Sequence, residues 1–202
     1  MKTNTNKQKL IVLCECAIFI ALSTVLSIFA KVWESPLGGS VTILSMLPVM
    51  FISIRHGLKW GFGSAFVYSV IQLIDGFDSI AYIPTAGGIV CSILFDYIVP
   101  FTILGIAGIF VKRDCTNAKK EYLSILFGIL LAIALRFICH YLVGALLWYE
   151  ITKEGQWNDY VNKYGPWLYS LIYQSLYLVP DGLLVVLASP IIPRLYKIRL
   201  TK

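Results

Sequence analysis

The chain has 202 residues, 58% of them hydrophobic and only 14% charged, and its mean hydropathy is +0.77. That balance lies outside the range of soluble domains and identifies an integral membrane protein. The formal charge of +6 does not signal a nucleic-acid partner, because the basic residues flank apolar runs instead of lining one helix face.

In chain order, a basic flank with Lys2, Lys7 and Lys9 leads into an apolar run over 10–30. The run is too long for a signal-peptide core and no small-residue cleavage pattern follows it, so it reads as a retained first span. Its one charge, Glu15, can snorkel or pair with the basic N-terminus. The segment 32–40, which holds Trp33, is turn-rich and reads as a loop or a partly re-entrant segment. Runs over 41–54 and 58–73 are both short for a perpendicular crossing. They are either two short helices joined at Arg55-His56-Gly57 or a hairpin that dips into the membrane; Arg55 and Lys59 favour two spans with a cytoplasmic turn. Asp75-Gly76-Phe77-Asp78 forms an acidic outer loop. The run 87–110 carries Asp96, a basic loop from Lys112 to Lys120 follows, and the run 122–148 comes next. A polar loop over 150–166 leads to the run 167–193, interrupted by Pro180-Asp181 before a basic tail.

Orientation follows from the basic residues. One set of flanks holds Lys2, Lys7, Lys9, Arg55, Lys59, Lys112, Arg113, Lys119, Lys120, Arg194, Lys197, Arg199 and Lys202, and the other only Lys31, Lys153 and Lys163. Positive charge stays on the cytoplasmic side. The expected fold is an all-α integral membrane protein, a six-transmembrane-helix bundle with both termini cytoplasmic, forming a single membrane domain over 1–202. Cys14, Cys16, Cys91, Cys115 and Cys139 include no CxxC pair, which argues against a disulfide framework or a zinc site. No nucleophile, metalloprotease or phosphate-loop motif is present. No cofactor is expected, and any energy for transport must come from an ion gradient or another subunit.

The chemistry concentrates in the fifth run. Arg136, His140, Gly144 and Trp148 recur every four residues, so on a helix they share one stripe. Polar groups at membrane depth face the bundle interior, a partner or a cavity. Asp96, followed by Tyr97, needs a cationic partner, either Arg136 or a cationic ligand. A lone histidine such as His140 is poor evidence for a metal. Asp181, after Pro180, either satisfies backbone groups freed by the proline or borders the site. Trp148, Tyr149, Tyr164, Trp167, Tyr169 and Tyr173, with Trp33, fit an interfacial aromatic belt. Rings beside an acidic group also suit a flat cation, and the two roles are compatible.

These residues resemble a known family, the thiamine-specific S-components of energy-coupling-factor (ECF) vitamin transporters. The resemblance spans nearly the whole chain. It rests on Gly38-Gly39-Ser40-Val41-Thr42 with Ser45-Met46-Leu47-Pro48, on Ser53-Ile54-Arg55-His56-Gly57, on Asp96-Tyr97-Ile98-Val99, on the Arg136 to Trp148 stripe, and on Tyr169-Ser170-Leu171 leading to Gln174. It implies high-affinity thiamine capture outside a bacterial plasma membrane, with ATP hydrolysed by partner subunits: a transmembrane coupling subunit bound to two cytoplasmic ATPases. By the same resemblance, His140, Gly144, Trp148 and Tyr169 are binding positions, Asp96 offsets the thiazolium charge, and Tyr68, Tyr97, Gln174, Arg136 and Trp33 complete the set. Gly144 leaves room for the ligand and Trp148 stacks on a ring. Arg136 stands where a lysine can occur, and Gln174 where the family often has asparagine. Ala17 and Ala21, four apart on the first span, suit close helix packing and by resemblance form the surface that docks the coupling subunit. Other readings stay open: another vitamin or a thiamine precursor, an intramembrane enzyme using His140 with Asp96 or Asp181, or an assembly factor whose polar groups only pair helices.

Overall fold

The computed structural model describes residues 2–34, 39–111, 117–157, 159–195 and 197–198. Gly38, Lys112, Arg113, Cys115, Arg199 and Lys202 lie outside the described residues. Helix α1 (Lys2–Phe29) leads into a β-hairpin, β1 (Lys31–Glu34) with β2 (Ser40–Thr42). Helices α2 (Leu47–His56) and α3 (Leu58–Asp75) follow, then α4 (Ala86–Gly108), α5 (Ala118–Glu154) and α6 (Pro166–Leu195). Among the described residues, four stretches are long and apolar enough to cross a membrane: Asn6–Phe29, α4, α5 and α6. Large apolar side chains such as Leu13, Ile18, Val25, Phe29 and Leu187 point outward, an arrangement that suits lipid and not water.

Local chemistry explains the helix limits. Thr85 caps α4 by accepting from the Gly88 amide at 3.2 Å, and Asn117 caps α5 by accepting from the Lys119 and Lys120 amides at 3.0 and 3.2 Å. Both side chains satisfy donors that a helix start leaves open. Between α2 and α3 the chain reverses on one residue, Gly57, whose φ of 90° is open to glycine at little cost. The core packs Met46, Met50, Ile52, Ile54, Tyr68, Leu104, Ile125 and Ile129 between α2, α3, α4 and α5.

Four sequence expectations change. The segment 32–40 contributes strands, not a plain loop, with Trp33 opposite Val41 and Glu34 opposite Ser40. The run 41–54 is helical only from Leu47, because Ser40-Val41-Thr42 pairs as a strand, Leu44 turns with φ 62°, and Pro48 sits in the first turn of α2, where its missing N–H costs nothing. The run 167–193 is not interrupted: α6 passes through Pro180, which gives up one backbone bond without ending the helix. The polar loop after the fifth run starts later, since α5 continues to Glu154.

Glu15 has a partner other than the basic N-terminus. Its carboxylate accepts from Arg55 Nε at 2.8 Å and Nη2 at 3.2 Å, and lies 2.6 Å from His56 Nε2. This two-pronged contact ties α1 to the end of α2, at the pole of the bundle opposite the hairpin.

Candidate functional site

Beneath the hairpin, between α3, α4, α5 and α6, lies a cavity of about 370 Å³. Every binding candidate from the sequence lines it except Trp33: Tyr68 from α3, Asp96 and Tyr97 from α4, Arg136, His140, Gly144 and Trp148 from α5, and Tyr169 and Gln174 from α6. Trp33 belongs to β1, which is exposed along its whole length, and is itself 43% exposed. Ala17 and Ala21 are exposed on α1.

Two π-helical segments shape one wall. The first, Ile93–Ile98, carries Asp96; the second, Gly144–Trp148, ends on Trp148. Widened turns of this kind re-aim side chains and recur at functional sites. Here they bring the two side chains together, with Trp148 Nε1 donating to Asp96 Oδ2 at 2.8 Å. Ser92 Oγ donates to the same oxygen at 2.7 Å, and His140 Nδ1 stands 3.6 Å from Asp96 Oδ1. Among the described residues, no lysine or arginine nitrogen lies within 4 Å of this carboxylate.

The Asp96–Arg136 pairing considered from sequence is therefore not formed. Arg136 Nη1 lies 3.8 Å from Asp181 Oδ2, and the guanidinium sits 4.4 Å from the Phe101 ring centroid. Asp181 is fixed by Thr42, whose hydroxyl donates to Oδ1 at 2.9 Å and lies 2.6 Å from the Ser45 hydroxyl. Asp181 thus borders the cavity; α6 holds the countercharge that α4 does not supply. Arg136 is 8% and His140 7% exposed, yet Arg136 Nε and Nη1 and His140 Nε2 make no hydrogen bond among the described residues. Such polar atoms left unmet in a buried place cost about 1–3 kcal/mol each, and both residues line the cavity.

Gly144 lines the cavity and also lets α6 come close: a Cβ there would collide with Ser170 Oγ and lie 2.6 Å from Gln174 Nε2. Gln174 Oε1 accepts a short hydrogen bond from Tyr177 Oη. The Tyr169 hydroxyl faces Thr152 at 3.4 Å, while its ring stacks on Tyr173 at 5.8 Å. Tyr68 is fully buried, edge-on to Phe101 at 5.6 Å, and Tyr97 donates to the Gly76 carbonyl at 2.8 Å. No group of three metal-binding side chains occurs among the described residues.

Sequence reasoning passed over Tyr177 and the wall formed by Thr42 and Ser45. The signal for Tyr177 was available. Tyr169, Tyr173, Tyr177 and Asp181 recur at intervals of four, a second stripe on α6 that faces the stripe on α5. The arrangement can hold a flat cationic ring: one carboxylate without a full countercharge, rings on several sides, and amide and guanidinium donors for ring nitrogens.

Comparisons with known proteins identify the family. Residues 13–200 match the family described as Thiamine transporter protein (Thia_YuaJ). The chain is 30% identical over 204 residues to the thiamine transporter ThiT of Bacillus subtilis (strain 168), covering 96% of this chain and 97% of that one. It superposes on a structure of ThiT from Listeria monocytogenes with a TM-score of 0.69 at 23% identity, covering 94% of this chain and 98% of that chain, which establishes a shared fold. Its relatives are named as transporters, not enzymes. The chain is a multi-pass membrane protein that belongs to the thiamine transporter protein family.

Proposed function

We propose that the chain is the substrate-binding S-component of an ECF transporter, taking up thiamine into a bacterium across the plasma membrane with energy from ATP hydrolysed on partner subunits. The observation that carries this reading is Asp96. Its carboxylate lines the cavity, is held by two neutral donors and a nearby imidazole, and lacks a lysine or arginine partner among the described residues. Thiamine supplies what is missing, since its thiazolium carries a fixed charge that no proton loss removes, and burying the two charges together offsets part of the desolvation of each.

Thiamine undergoes no chemistry in this account. Trp148, Tyr169 and Tyr173 offer ring faces, and cation–π attraction contributes roughly 0.5–2 kcal/mol for each well-placed ring. Gln174 and Arg136 offer donors to the aminopyrimidine and His140 Nε2 an acceptor for its amino group, Tyr68 and Tyr97 close the sides, and the hairpin with Trp33 covers the entrance. The lysine and arginine asymmetry supports six spans, with both termini and the Glu15–Arg55–His56 cluster on the cytoplasmic side. Ala17 and Ala21, small and exposed on α1, suit close approach by the transmembrane coupling subunit.

Uptake of labelled thiamine by cells producing the chain with and without a coupling module tests this reading. Uptake that needs both the chain and hydrolysis-competent ATPases is expected. Uptake by the chain alone, or conversion of thiamine by the purified chain, would contradict it.

A further inference from the structure

Tyr177 is 7% exposed and sits in the middle of the α6 stripe. Its hydroxyl donates to Gln174 Oε1, and among the described residues it has no other hydrogen-bond partner. A carboxamide presents an acceptor at one end and two donors at the other. With the oxygen engaged by Tyr177, the nitrogen lies on the Gly144 side, where both Gln174 and Gly144 line the cavity. Gln174 is one methylene longer than asparagine, so the pin also removes rotamer freedom that a longer side chain otherwise keeps.

The ring of Tyr177 is itself held from above. Gly39 has φ 84°, and a Cβ built there would lie 2.6 Å from Tyr177 Cε1 and 2.8 Å from Cζ. The backbone beside β2 therefore rests directly on the ring. Tyr173 at 6.2 Å and His140 at 6.5 Å meet it edge-on from the sides.

We propose that Tyr177 is a positioning residue for ligand recognition: it orients the Gln174 amide as a donor to a ring nitrogen of the ligand, and the hairpin enforces that orientation through Gly39. This rests on the reading of the cavity as a thiamine site.

A double-mutant cycle on the full chain, with thiamine binding measured by calorimetry, tests it. Tyr177→Phe keeps the ring and removes one oxygen; it should weaken binding about tenfold in the wild-type background and less than about twofold once Gln174→Ala is present. A packing role for Tyr177 predicts the same loss in both backgrounds. Equal losses, or no loss from Tyr177→Phe, overturn the proposal while thiamine binding itself stands. If Tyr177→Phe does not fold, Gly39→Ala takes its place in the same cycle, with a clear loss expected beside Gln174 and little beside Ala; additive losses overturn the proposal. Absence of thiamine binding by the wild type overturns both the site reading and this proposal.

Discussion

Trp148 donates its indole N–H to Asp96 at 2.8 Å, from one π-helical segment to another. The hydrogen bond fixes the plane of a ring and the direction of a carboxylate with a single contact. In the proposed site, the ring stacks beside the carboxylate that meets the cation.

Removing each half separates the two effects. Trp148→Phe retains a stacking face but loses the N–H, and a hydrogen bond to a charged group contributes roughly 1.5–3 kcal/mol. A loss of thiamine affinity of about tenfold is expected, with a larger loss for Trp148→Ala, which also removes the ring. Titration calorimetry on the purified variants measures both; equal losses would mean the ring itself adds nothing.

The pair Arg136–Asp181 acts on stability. Asp181→Asn leaves a buried guanidinium without its countercharge, and breaking such a pair costs about 3–5 kcal/mol. A clear drop in the detergent unfolding temperature is expected. The double variant Arg136→Met with Asp181→Asn should recover most of it. No recovery would indicate that Asp181 works mainly through Thr42.

Gly144→Ala tests the contact between α5 and α6. The added methyl meets Ser170 Oγ and Gln174 Nε2, so the helices must separate or the amide must move. Overpacking of this kind costs about 1–3 kcal/mol, and thiamine affinity should fall at least about fivefold. A variant with unchanged binding and unfolding temperature would show that the two helices are not in register at this notch.

Glu15 lies at the opposite pole, and its role is separable from the ligand. Glu15→Gln weakens its contacts to Arg55 and His56 and should lower stability by about 1–3 kcal/mol. Thiamine affinity should stay within about twofold, as distant sites act independently. A large affinity loss would couple the two ends of the bundle.

The α5 stripe was legible from sequence because a spacing of four in an apolar run has one reading on a helix. The matching stripe Tyr169, Tyr173, Tyr177 and Asp181 carries the same signal, but its tyrosines also fit an interfacial belt. Pairing was the least legible feature. Arg136 could meet Asp96 or Asp181 by charge alone, and the choice depends on how α4, α5 and α6 pack, which periodicity does not encode. The hairpin was hidden because a strand of three residues has too little pattern to show alternation, and the π-helical segments because one extra residue leaves no mark in a hydropathy profile.

Thiamine binding by wild type and Asp96→Asn, measured by calorimetry beside a neutral analogue with an uncharged ring in place of the thiazolium, tests the central claim most directly. Submicromolar binding of thiamine by the wild type is expected, with the neutral analogue weaker by about tenfold or more and that preference largely lost in Asp96→Asn. Equal affinity of Asp96→Asn for thiamine, or a wild type that does not distinguish the two ligands, would contradict the account.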